Sequence, residues 1–309
     1  LLYGTTTSTA GNVVLLGKGV DGLLVGGAVT VGSVGRVRSL TITGTATSGD
    51  GITTTAALRA TGALTLTGYT ATGASGIDVG STLASTLAGD VILSGKSGGT
   101  FASVYTTGVN LANTLTVAAG NLTIQGSSLV GGIATPLPGS SATGSRYGFS
   151  SAAAGDITVS GNISLAGTSV TFMGGYLLGD VLSTDGNVAL TGAGLYAMSL
   201  SGPVTAGTGV NPRTLTITTT GSNGYGLTTA AAAALSATGS IALTSYATIG
   251  ASGISIAAPI RSTLRGDVVI SSYAGGVAGE NAFTLGAALS AANGGITLQG
   301  SALVGGVAT

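Results

Sequence analysis

Along most of the chain, aliphatic residues alternate with hydroxyl residues in short runs. Leu40-Thr41-Ile42-Thr43 and Leu64-Thr65-Leu66-Thr67 are two of them, others begin at Thr114 and Leu122, and runs rich in aliphatic residues begin at Val13 and Val91. A period of two places successive side chains on opposite faces of an extended strand, and Thr suits a half-exposed pleated surface. The aliphatics are therefore expected inside and the threonines outside. Gly, Asn and Asp punctuate the runs and are expected at sharp corners, where they allow positive φ. The pattern predicts strands over residues 13–16, 28–31, 40–43, 63–67, 91–94, 114–117 and 122–125, with weaker candidates near Ile52, Ile77 and Val104. Leu40, Leu64, Val91 and Leu115 lie 24 to 27 residues apart. That spacing predicts an all-β fold, a β-solenoid with two or three strands in a coil of about 25 residues.

A second, longer period organises the coils. Residues 120–135, GNLTIQGSSLVGGIAT, return 174 positions later as GGITLQGSALVGGVAT at 294–309, with eleven of sixteen positions identical. Leu122, Ile124, Leu129 and Val130 are the expected core residues of this unit. Laid over each other at offsets of 174 to 177, Gly11-Asn12-Val13 matches Gly186-Asn187-Val188, Tyr69 matches Tyr246, and Gly89-Asp90-Val91 matches Gly266-Asp267-Val268. The chain thus divides into a first long repeat of about 175 residues' period over 1–135, a loop over 136–150, solenoid continuation over 151–175, and a second, incomplete repeat over 176–309. Residues 136–150, PLPGSSATGSRYGFS, are dense in Pro, Ser and Gly and are expected to protrude. The five alanines 230–234 read as a solenoid edge with small side chains. Ordering a residue costs roughly 1 to 2 kcal/mol and a buried aliphatic returns about 1.5 to 3, so a coil needs neighbours above and below. Roughly twelve coils at about 4.8 Å each would make a rod on the order of 60 Å long.

Composition narrows the class further. Glycine is 57 of 309 residues, without the three-residue period of collagen, and hydrophobic residues at 44% against charged ones at 6% oppose disorder. Nine basic and nine acidic residues are scattered, so no nucleic-acid or anionic-lipid partner is implied. The chain has no cysteine and no histidine, which removes thiol chemistry, the usual proton shuttle and the commonest metal ligands. No cofactor and no metal are expected. No apolar run is long enough for a membrane helix, and the strands are too short for a transmembrane barrel. The first residues, LLYGTTTSTAG, lack an initiating Met and a basic segment, as expected for a piece of a longer chain.

Candidate chemistry is sparse. Arg265-Gly266-Asp267 spells a tripeptide displayed by receptor ligands, yet Gly-Asp also opens other strands here, and the matching place in the first repeat is Ala88-Gly89-Asp90. Acidic residues such as Asp50, Asp78 and Asp267 sit beside or near Gly and read first as turn residues; lined up on neighbouring coils they would instead suggest a polysaccharide lyase or hydrolase. The calcium-binding nonapeptide of β-rolls is absent. Two glycosylation sequons, at Asn121 and Asn162, overlap the recurring Gly-Asn unit. Arg146, Tyr147 and Phe149 bring a cation and two rings to the expected loop, the type of group that anchors an interface.

GNLTIQG, GDITVSGNISLAG, GDVILSG and GNVALTG resemble the repeats of large haemagglutinin-type exoproteins and related autotransporter passengers of Gram-negative bacteria. The resemblance implies a right-handed parallel β-helix, exported across the outer membrane, that serves adhesion, cell-cell aggregation or biofilm assembly. With it, the expected function is that of an extracellular structural and adhesive rod rather than an enzyme, with further copies of itself or matrix components as partners. A carbohydrate-active β-helix is the alternative.

Overall fold

The structure, a computed structural model, describes residues 1–72, 75–98, 106–129, 146–248, 252–276, 281–304 and 307–308. Three walls enclose one core. The broad wall is a 12-stranded sheet built mainly of seven-residue strands such as Leu40–Ala46, Leu64–Thr70, Val91–Ser97 and Leu122–Ser128. From each of these the chain turns into a 10-stranded side wall (Ile52–Thr54, Ser75–Val79, Thr106–Leu111), then into an 11-stranded narrow wall of three-residue strands (Leu58–Ala60, Leu83–Ser85, Leu115–Val117). Among the described residues all pairings between strands are parallel except that of Val307–Ala308 with Ile296–Val304, and an isolated antiparallel bridge joins Ser33 to Arg36. The result is a β-solenoid of about 10 turns with about 27 residues per turn. Turns are fewer and longer than the spacing of the first strands implies, because Asn121 and its stacked counterpart Asn162 are 41 residues apart.

Alternation sets the core as expected. Leu40, Ile42, Leu64, Leu66, Val91, Leu93, Leu122 and Ile124 are buried with aliphatics from both other walls in one continuous cluster, while Thr41, Thr43 and Thr65 face outward. Leu129 is buried in a small separate cluster with Val170, and Val130 lies outside the described residues. The alanines 230–234 form the corner between Leu227–Thr229 and Leu235–Ala237, with Ala233 buried. Each coil stacks on the next in register, and the long repeat proves to be a whole number of coils. Paired positions lead in six steps from Leu122 through Ile163, Val188, Leu215, Ile241 and Val268 to Ile296, the sequence counterpart of Leu122.

Two expectations change. Glycines expected to close the strands lie within them: Gly44, Gly68, Gly95 and Gly126 are buried, and each strand runs two residues further. At this point the chain doubles back so tightly into the side wall that a Cβ on Gly44 would collide with the carbonyl of Gly51, and one on Gly126 with that of Gly148. In later coils Thr219, Ser245 and Ser272 take the place, and Ser245 Oγ donates to the Gly253 carbonyl at 2.7 Å. The second change concerns the loop. Arg146, Tyr147 and Phe149 belong to a side-wall strand, Arg146–Ser151, paired with Thr106–Leu111, whereas residues 136–145 lie outside the described residues. Arg146 and Phe149 are 1% and 2% exposed, so these two are core residues rather than contact residues. Space for the Phe149 ring comes from Gly167 and Gly175, where a Cβ would strike it.

Gly126→Ala is expected to lower stability by about 1 to 3 kcal/mol through overpacking, whereas the outward Thr123→Ala should stay within about 0.5 kcal/mol. Chemical denaturation of both variants checks this; equal midpoints would refute the acute-corner account.

Candidate functional site

The residues that look chemical are the Asn and Asp that precede broad-wall strands. None supplies a positive φ, because among the described residues only glycines have one, and all six lie in connections from the narrow to the broad wall: Gly32, Gly35, Gly89, Gly120, Gly207 and Gly266. The Asn and Asp side chains instead reach along the rod axis. Asp90 Oδ1 accepts from Asn121 N at 2.8 Å, Asn121 Oδ1 from Asn162 N at 2.9 Å, Asn162 Oδ1 from Asn187 N at 2.9 Å, and Asn187 Oδ1 from Thr214 N at 2.8 Å. Asn12 does the same for Ser39, and Asp267 for Gly295. The carbonyl of each next-coil residue in turn accepts from the strand below, as Asn121 O does from Val91 N. Side chain and backbone together satisfy groups that a bare corner would leave to water.

This ladder absorbs several candidates. In the tripeptide Arg265-Gly266-Asp267, Gly266 has a φ of 137° and Asp267 Oδ1 is bonded to Gly295 N at 2.7 Å, so the exposed carboxylate is fixed by the scaffold. Asn121 and Asn162, the two sequon positions, are successive rungs of the same ladder. Asp156 accepts from Asp180 N at 2.9 Å at a different corner. An exposed ion pair of 2.5 Å joins Arg213 to Asp185, and the hydrogen bond and charge of Arg213 hold the Asp185 carboxyl below its ordinary pKa.

Among the described residues Asp50 is the one carboxylate shifted the other way. It occupies the corner before Ile52–Thr54, with Oδ1 accepting from Ser75 N at 2.7 Å and Oδ2 from the Thr53 hydroxyl at 3.1 Å. Burial raises its pKa. The Ser75 and Thr53 bonds oppose this, and the carboxylates of Asp78 and Asp21 add to it. Asp50 and Asp78 are near one another but are not stacked: Asp78 pairs in register with Thr53 and accepts from Asn110 Nδ2 at 2.8 Å. Asp267 stands at another corner, several coils away. The structure therefore does not bring Asp50 and Asp267 together, and no group of three acidic side chains converges among the described residues.

Aromatic residues form the most concentrated outward feature. Tyr147 stacks on Tyr176 with centroids 5.2 Å apart and meets the edge of Phe172 at 5.6 Å, and Phe172 meets Tyr196 at 5.6 Å. Of the expected contact trio, Tyr147 alone joins this cluster. Sequence reasoning missed Phe172, Tyr176 and Tyr196 because their spacing becomes readable only once the coil length is known. On the broad wall, Tyr246 and Tyr273 stack within 3° of parallel at 4.9 Å, and Lys96 lies 5.8 Å from the Tyr69 ring centre. A shallow hollow on the same wall is lined by Ser94, Lys96, Gln125, Ser127, Ala166 and Thr168. Burial pulls the pKa of Arg146 below the usual guanidinium value, and its carbonyl accepts from Ser169 Oγ at 3.0 Å. Compared with family models, curated proteins and solved structures, the chain matches none of them.

Two measurements test these assignments. Asn121→Ala removes the acceptor of Asn162 N and is expected to cost about 1 kcal/mol; an unchanged denaturation midpoint would refute the ladder's role. For Asp50, the folded carboxyl binds its proton more tightly than the unfolded one. Its contribution is therefore intact below the ordinary aspartate value of about 3.9 and is lost as pH rises through the raised folded value. Asp50→Asn should escape that loss, so its melting-temperature advantage over the parent should widen from about pH 3 to pH 7. A constant gap would contradict the burial of Asp50. The Arg213–Asp185 pair is present in both proteins and cancels in the comparison.

Proposed function

We propose that the chain is a segment of an extended, exported β-solenoid rod at a bacterial cell surface, acting in adhesion, cell-cell aggregation or fibre assembly. The observation that carries this reading is the six-coil repeat. Because the long repeat is a whole number of coils, a further copy continues all three sheets in register. A unit of that type lengthens into a rod by duplication, and its outer walls present the same columns of side chains along the axis.

The surface supports the same reading. Outward positions of the broad wall are mainly Thr, Ser and Ala, as in Thr41, Thr43, Ser164, Ala189 and Thr216. A surface this poor in charge has little electrostatic repulsion to keep rods apart. Mean hydropathy is +0.60, more than a thin rod can hide inside. Resemblance of the repeats to haemagglutinin-type exoproteins gives the cell-surface setting.

Cells that display the chain on an outer-membrane carrier are expected to aggregate and sediment faster than cells displaying the carrier alone. Equal settling and equal surface attachment would overturn the reading.

A further inference from the structure

The broad wall is self-complementary, and we infer that it is the face through which two copies of this chain associate, antiparallel and face to face. The inference rests on the rod reading above and deepens it by naming the partner and the surface. On nine successive broad-wall strands, from Leu64–Thr70 to Ile296–Val304, Lys96 is the single charged outward side chain among the described residues. Soluble surfaces ordinarily carry roughly a quarter to a third charged residues. At about 4.8 Å per strand and about 20 Å of strand width, this face offers roughly 900 Å² per copy, above the roughly 800 Å² per partner of a standard interface.

Relief on the face supplies the register. Tyr246 and Tyr273 form a raised pair, with Tyr246 46% exposed, while the hollow lies around Lys96, Ser127 and Thr168. All belong to one column of in-register positions. Midway between knob and hollow stands the strand Val188–Gly194, whose outward residues Ala189, Thr191 and Ala193 are small. A two-fold axis lying along this strand keeps each strand position opposite its own equivalent while reversing the order of coils. Tyr246, two strands on, then faces Ser127, two strands back; Tyr273, three strands on, faces Lys96, three strands back. The knob of each copy enters the hollow of the other, and Lys96 meets a second tyrosine ring as a cation–π partner. The small residues at the axis let the walls approach closely.

The chain has no cysteine, so single introduced thiols report on the geometry. Thr191→Cys, on the proposed axis, should give a disulfide-linked dimer under mild oxidation, while Thr116→Cys on the narrow wall should not. Sedimentation of the parent should show a monomer–dimer equilibrium, and the double variant Tyr246→Ala/Tyr273→Ala should raise the dissociation constant at least about tenfold, with circular dichroism confirming that the solenoid is retained. Association that cross-links through Thr116→Cys but not Thr191→Cys overturns this face. A parent that stays monomeric at all concentrations overturns it too. If displayed cells still aggregate in either case, the rod reading survives; if they do not, that reading fails separately.

Discussion

The acute corner between the broad and side walls constrains everything else in this solenoid. There the chain folds back until an inward side chain has no room, so Gly44, Gly68, Gly95 and Gly126 stand opposite backbone carbonyls of their own coils. A coil with a larger residue at that point would have to open, and an opened coil would no longer lie in register with its neighbours. Register is what the parallel ladders require, because each backbone donor in one coil finds its acceptor in the next. Where the corner does accept a side chain it is small, and at Ser245 its hydroxyl bonds to the carbonyl that excludes anything larger. The richness in glycine and small hydroxyl residues follows from geometry before any question of function arises.

Much of this was legible from the sequence, and the parts that were not share one cause. Strand positions, the inward aliphatics Leu40, Ile42, Leu64 and Leu66, and the long repeat depend on local alternation or direct identity, which a single sequence displays. The roles of Gly, Asn and Asp depend on a partner one coil away. Gly44 reads as a turn residue because glycine serves turns and close backbone approach equally well. Asn121 reads as a turn former because its side chain bonds equally well to its own backbone or to a neighbour's; its partner, Asn162, is 41 residues distant. Residues 136–150 misled for a related reason. A Pro- and Gly-rich stretch runs on without a break into RYGFSS, and only pairing with Thr106–Leu111 shows that Arg146–Ser151 is a side-wall strand.

The polar residues of the corners are scaffold as well. Asp90, Asn121, Asn162, Asn187 and Asp267 look like surface chemistry, yet their oxygens hold adjacent coils together. With these turn residues so engaged, the outer face of the broad wall is left largely to hydroxyls, methyls and a few rings. Such a surface offers weak individual contacts, so binding through it would draw its strength from area and repetition rather than from a few charged anchors. A rod extended by whole coils provides both.

Comparison of the two long repeats shows where such a surface is free to change. Tyr69 and Tyr246 stand in the same column six coils apart, roughly 29 Å at the spacing of stacked strands. Their inward neighbours keep the core: Leu64 and Leu66 answer to Ile241 and Leu243, and Gly68 to the small, bonded Ser245. The next coil outward does not match, since Lys96 follows Tyr69 where Tyr273 follows Tyr246. An inward residue is bounded by two neighbouring coils and the opposite walls, so its size is fixed from several sides at once. An outward residue meets only its column and solvent. The first repeat therefore carries a lysine beside its tyrosine and the second carries a ring, and that difference, which the fold does not demand, is what makes one half of the broad wall a complement to the other.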